Sequence, residues 1–279
     1  MAEDISLIDI INEQLAAGTT QLPVFNKTAH RIQQESLKAE PDMRLIEKLV
    51  IKDQTLTGEV LKVANSAFYK GLDKITTVRQ AIVRLGYKKI SDMIILVTQK
   101  HNFESRDPFI KKIMDKLWRH SVGCALGSNW IATRCGFHDL SGEAFFAGLL
   151  HDIGKLFILS VLEDIKKSNK IDQHPSDALL NEVMVSLHTA HGYSLMKTWN
   201  LPEKYCEIAR DHHEDEFDAK NNLLVLTRLA NKACNKMGIG MHDESEILLT
   251  ATEEADLLGL SEIDMAKLEI VLEDTTAFA

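Results

Sequence analysis

Glycine and proline are scarce, at 14 and 5 among 279 residues, against ~12 % usual for the pair. Turns are therefore few. Sheet sandwiches, collagen-like chains and low-complexity chains are excluded, and helices should dominate. Cysteine is also scarce. The four, at 124, 135, 206 and 234, form no CxxC pair, so neither a zinc ribbon nor a redox motif is indicated. A basic region ahead of an apolar core is missing from the acidic start Met1-Ala2-Glu3-Asp4, so no secretory signal is expected. The strongest apolar run, around Leu156 to Leu162, is too short to span a bilayer. A cytoplasmic protein with reduced thiols and no membrane association is expected. Positive charge is in deficit, with 32 basic against 41 acidic side chains and a net charge of −9. That balance opposes broad binding to nucleic acid or to an anionic membrane. The densest basic cluster of the N-terminal part, Arg84, Lys88 and Lys89 around Tyr87, reads as a solvated helix end.

What is present is helical periodicity. Apolar residues at 5, 7, 8, 10, 11 and 15 have helical spacing, and residues 24–35 and 45–51 continue the pattern. Asp53 is placed to cap a helix that presents Leu56, Val60, Leu61 and Val63. Thr76 or Thr77 caps the next, and Gly86 closes it. Residues 91–97 could form a buried strand, but no strands lie nearby in sequence, which favours helix. Arg106-Asp107-Pro108 is the best break in the chain. Beyond it, helical spacing runs over 109–134, long enough for two helices. Ser141 is placed to cap a helix ending at Leu150. Further helices span 177–199, the stretch from Leu201-Pro202 to His212-His213, and 222–237. Two short helices share 244–273. The expected architecture is all-α, in two layers of about 1–105 and 106–279.

The 11 histidines carry the chemistry. His151-Asp152-Ile153-Gly154-Lys155 follows an apolar helix. A neutral imidazole and a carboxylate side by side suit a divalent first-row metal. Lys155, four residues after His151, would share its helical face and hold a phosphate oxygen as a mobile charge. His120 lies upstream, His188 and His191 on the long helix, and His212-His213-Glu214 at the end of another. Helical bundles build metal sites from such separated residues. A histidine taken alone is more often an ordinary core or surface residue. His30, His101, His138, His174 and His242 receive that reading, so the argument rests on the set.

In this order the set resembles the HD phosphohydrolase superfamily, whose signature is a His, a His-Asp pair and a distant Asp. The stretches Leu22-Pro23, Asp53-Gln54-Thr55-Leu56, Ala64-Asn65-Ser66, Gln80-Ala81-Ile82 and Leu85-Gly86 resemble a narrower family, the HDOD (HD-related output) domain of bacterial signalling proteins. Phe145 to Lys155, His188 to Gly192 and Trp199-Asn200-Leu201-Pro202 continue the likeness, which covers about residues 21–240. The resemblance implies an all-α, HD-domain-like helical bundle with an additional N-terminal helical layer. It places His120, His151 and Asp152 on the first three metal positions. His188, His212 and His213 match additional histidines of the HD-GYP cyclic-dinucleotide phosphodiesterases, and Lys155 matches their lysine. Two departures stand out. Asn231 occupies the position of the distant Asp, and no Gly-Tyr-Pro follows Glu214. An amide in place of a carboxylate removes a formal charge from the metal position, so affinity should fall and a nearby water would lose its electrostatic partner.

The resemblance leads to a regulatory protein with a partly retained site of low hydrolytic power. That site would hold a divalent ion (Mn, Fe, Ni, Zn or Mg) on His120, His151, Asp152, His188, His212, His213 and Asn231. Asn65, Ser66 and Phe68 would mark a junction of layers, with helix capping or local hydrogen bonding their ordinary role. No receiver, GGDEF or DNA-binding segment is evident. Protein partners are therefore expected in trans, through the N-terminal layer. The alternative is a metal-dependent phosphohydrolase acting on a nucleotide or other phosphoester, with Asp152, Lys155 and His213 in catalytic roles. A third reading is a polar histidine core with no ion.

Overall fold

Helix starts in this chain are written locally, by side chains that accept the first unpaired N–H groups. Asp53, Asp107, Ser176, Asn221 and Thr252 each cap a helix in this way. Thr77 with Gln80, and Ser261 with Asp264, form reciprocal capping boxes. The computed structural model describes residues 7–16, 23, 25–36, 38, 40–66, 69, 71, 73–169, 171 and 173–275. Met1, Ala2, Glu3, Asp4, Ile5, Leu22, Val24 and Phe68, used in the sequence reading, lie outside them.

In order, the helices are α1 (Leu7–Ala16), α2 (Lys27–Ser36), α3 (Met43–Ile51), α4 (Gln54–Ala64), α5 (Val78–Leu85), α6 (Tyr87–Lys100) and α7 (Pro108–Arg134). There follow α8 (Ser141–Leu150), α9 (Ile153–Lys167), α10 (Asp177–Thr198), α11 (Glu203–Asp211), α12 (Asn222–Lys236), α13 (Glu253–Leu258) and α14 (Glu262–Glu273). Among the described residues there is no strand, so the fold is all-α. The apolar run at 91–97 is helical, inside α6, where every residue from Ile90 to Gln99 is buried. Residues 108–134 form a single 27-residue helix. Its interior glycines, 123 and 127, do not break it.

Two local readings need correction. Ser141 is not the cap of α8: Leu140 holds that position without a side-chain bond, and the Ser141 hydroxyl donates to the His138 carbonyl. The apolar run around Leu156 belongs to a longer stretch, 141–167, which by length and composition could cross a membrane. Here it is almost wholly buried and is broken by the turn at His151-Asp152 into α8 and α9.

α2 and α4 pack on α6, α3 packs on α4 and α5, and α6 reaches α8. In the larger half, α7 packs on α8, α12 and α14, while α10 lies between α9 and α11. α1 crosses to α9. Pro23 and Phe25 also contact elements later in the chain. The Trp199 indole donates to the Pro23 carbonyl at 3.0 Å, and Phe25 stacks on Trp199 and meets Phe146 edge-on. One buried apolar cluster runs from Ile11 to Leu272. α9 and α10 touch closely where Gly154 faces the backbone of His188, and a Cβ at Gly154 would collide with the His188 carbonyl.

Candidate metal centre

Five side chains from four segments meet around the Asp152 carboxylate. His120 comes from α7, His151 and Asp152 from the turn between α8 and α9, His188 from α10, and His212 from the end of α11. All are buried. The Nε2 atoms of His120 and His151 lie 3.5 Å from Asp152 Oδ2. Those of His188 and His212 lie 3.4 Å from Oδ1. Asp152 thus serves two pairs of imidazoles, one on each oxygen.

The backbone sets the orientation of each ring. Nδ1 of His120 meets the Ile239 carbonyl at 2.9 Å, and that of His151 meets the Gly148 carbonyl at 2.8 Å. Nδ1 of His188 meets the Met184 carbonyl at 2.7 Å, and that of His212 the carbonyls of Ile208 and Ala209. A carbonyl only accepts, so each Nδ1 carries the hydrogen and each neutral ring turns its Nε2 lone pair inward. Carbonyl-held imidazoles of this kind are how metal-binding histidines are usually fixed.

Burial pushes the His120 and His151 imidazoles down and takes His188 to about 4. These rings are therefore neutral at pH 7, the form that binds metal. Burial would raise the Asp152 carboxyl. The Lys155 ammonium beside it outweighs burial and holds the group well below the usual carboxylate range. The centre is thus made of acceptors facing acceptors. Nε2 of His151, His188 and His212 and Oδ1 of Asp152 are buried without a hydrogen-bond partner. Such orphans are costly. A cation relieves them together, and ligands ~2.1 Å from a tetrahedral ion sit roughly 3.4 Å apart. The residues present fit a divalent metal.

Lys155 departs from its expected place. His151 and Asp152 form a turn and α9 begins at Ile153, so Lys155 faces Asp152 rather than riding above His151. Its Nζ pairs with Asp152 Oδ2 at 2.7 Å, and both groups are buried. Its charge is already committed and it is not a mobile cation. His213 stands at the exposed edge, its ring 5.1 Å from His188 and 4.1 Å from His212. Desolvation and His212 push it down to about 3. It joins Asp152, His188 and His212 in a group able to hold an ion. Asn231 is buried on α12, and its amide forms no hydrogen bond among the described residues. His191 packs on Phe157 instead, and His174 pairs with Asp107 and stacks on Phe109.

Sequence reading missed the Ile239 carbonyl that orients His120. It also missed His242, which is close enough to Asp152 and Lys155 to feel their charges. Cys124 and Cys234 were missed as well: with His120 they form a compact donor group. The i,i+4 spacing of His120 and Cys124 was a usable signal. Cys234 and Ile239 come from distant sequence and gave none.

A helical bundle that gathers histidines from separate helices around the aspartate of a His-Asp turn is a protein of the HD class. The model of the HDOD domain matches residues 22–215, and the chain belongs to that family. An uncharacterized protein of Treponema pallidum (strain Nichols) is 27% identical over 182 residues, 62% of this chain and 34% of that protein. The chain therefore spans about a third of that relative's length. Among solved structures, an HDOD domain protein of unknown function from Geobacter sulfurreducens has a TM-score of 0.76 at 23% identity, covering 97% of this chain and 96% of that one. A candidate metal-dependent phosphohydrolase from Shewanella amazonensis SB2B has a TM-score of 0.71 at 17% identity, covering 98% of both chains. A candidate signal transduction protein from Marinobacter aquaeolei VT8 has a TM-score of 0.68 at 20% identity, covering 99% of this chain and 65% of that one. At these identities the structural likeness establishes the fold.

Proposed function

We propose that this HDOD protein is a regulatory module of bacterial signal transduction, built around a metal-holding His/Asp centre of low hydrolytic power. The observation that carries the reading is the convergence of Nε2 lone pairs on Asp152; the sequence resemblance adds an asparagine, Asn231, at the position of the distant aspartate. His120, His151, Asp152, His188 and His212 would hold the ion, with His213 at the open edge. When bound, a divalent ion of the Mn, Fe, Ni, Zn or Mg class would supply positive charge and acidify water. Asn231 offers only a neutral dipole there, so this chain lacks the carboxylate that would hold and deprotonate a water. The signal would then pass through partners docked on the N-terminal layer. Ile51 on α3 and Val83 on α5 are exposed there. Val83→Glu should weaken partner capture, and Asp152→Ala should not.

The test is hydrolysis of a generic phosphodiester and a nucleotide panel with added manganese or nickel. Wild type should turn over little or nothing, and Asn231→Asp should raise the rate at least about tenfold. Wild-type turnover that Asp152→Ala abolishes and Asn231→Asp leaves unchanged would favour the second reading, a metal-dependent phosphohydrolase. The specific observation on that side is Lys155, buried beside Asp152 and 2.7 Å from it. In that reading Asp152 is a ligand, Lys155 neutralises a phosphoester oxygen once released from Asp152, and His213 moves a proton at the exposed edge.

A further inference from the structure

Cys124 lies one turn after His120 on α7, and its sulfur is 3.5 Å from His120 Nε2. Cys234 approaches from α12, its sulfur within 4.8 Å of that of Cys124. The three donor atoms lie within 4.8 Å of one another, and all three residues are buried. Close packing of the two helices makes this possible: a Cβ at Gly123 would sit 2.8 Å from Cys234 Sγ. The Ile239 carbonyl already takes the hydrogen of His120 Nδ1, so His120 offers a lone pair to the sulfurs as it does to Asp152. Two sulfurs and one imidazole form a Cys2His set, which suits zinc with one position open. Soft thiolates select such ions over manganese or magnesium.

We propose that Cys124, Cys234 and His120 Nε2 form a soft donor set for a zinc-class ion, contiguous with the His/Asp centre and competing with it for His120. The proposal depends on the metal-holding reading only through that shared imidazole. On binding, each thiol exchanges its S–H bond for a sulfur–ion bond, and one proton per sulfur passes to solvent.

Cobalt(II) is the probe, titrated into the full chain purified without tag or chelator. A sulfur-to-cobalt charge-transfer band should appear in the near ultraviolet. It should vanish in Cys124→Ser and in Cys234→Ser, and persist in Cys135→Ser and in His188→Leu. Cys124→Ala, checked for native helical content by circular dichroism, separates loss of a ligand from loss of the fold. The zinc-over-manganese preference should fall at least about tenfold in the double Cys124→Ser, Cys234→Ser variant. Cobalt bound without a charge-transfer band would overturn the thiol set and leave the His/Asp centre standing. No cobalt bound at all would overturn both. A count of two thiols rather than four in the unfolded metal-free protein would mean a disulfide, and would also overturn the thiol set.

Discussion

Two polar clusters of this molecule, one formed by Asn65 and Glu35 and one around Asp152, are satisfied to different degrees. In the N-terminal layer, Asn65 closes α4 and is fully used. Its amide donates to the carbonyls of Leu61 and Ile75 and accepts from the Ile75 N–H, at 2.7 to 2.9 Å. Glu35 accepts from Lys38 and from the Asp42 N–H. Polar groups there hold the chain together. Around Asp152, by contrast, the outer nitrogens of the imidazoles are satisfied, and the inner ones of His151, His188 and His212 are not. The first arrangement is complete in the protein itself. The second is left incomplete by the protein's own groups and is one that could hold a cation.

The sharpest way to break the comparison is at the contact that closes the centre. Gly154→Ala forces α9 away from the His188 carbonyl. It should cost about 3 kcal/mol in urea unfolding and take metal binding with it.

Acid should distinguish the regions next. An unfolded histidine binds its proton near pH 6.5, whereas His188 in the fold waits until about 4. Between those values the unfolded state binds more protons. Stability of the metal-free protein is therefore full above about pH 6.5 and lost as pH falls toward 4, by roughly 3 kcal/mol from His188. His120 and His151 shift in the same direction. Urea midpoints at pH 7.5 and pH 5 measure the loss, and His188→Leu should shrink it.

Substitutions at the two kinds of polar group should then have opposite signs. Asn65→Ala removes three hydrogen bonds and should cost about 2 kcal/mol, with metal content unchanged. His188→Leu removes an unsatisfied buried nitrogen. It should stabilise the metal-free protein by about 1 kcal/mol while abolishing stabilisation by added manganese. A loss of stability in both would erase the distinction drawn here.

The sequence was informative wherever the physics is local. Asp53 and Thr77 mark helix starts because a cap acts over three residues, and the break at Arg106-Asp107-Pro108 is where α7 begins. α8, which starts at Leu140 with no side-chain cap, defeated the same reasoning. The order of His120, His151-Asp152, His188 and His212-His213 could be read as a set, and the fold brings that set together. Tertiary packing decided the rest. The carbonyl that orients His120 lies 119 residues away. The role of Lys155 depended on where α9 begins. Asn231 could be picked out by position, but its burial on α12 could not.

Metal content by mass spectrometry tests the central claim most directly, on protein purified without chelator or histidine tag. Wild type is compared with a His151→Ala, Asp152→Ala double variant of verified helical content. The account predicts near-stoichiometric metal in wild type and little in the variant. Absence of metal from both, after incubation with manganese, iron, nickel or zinc, would contradict it and leave a polar histidine core inside a signalling scaffold.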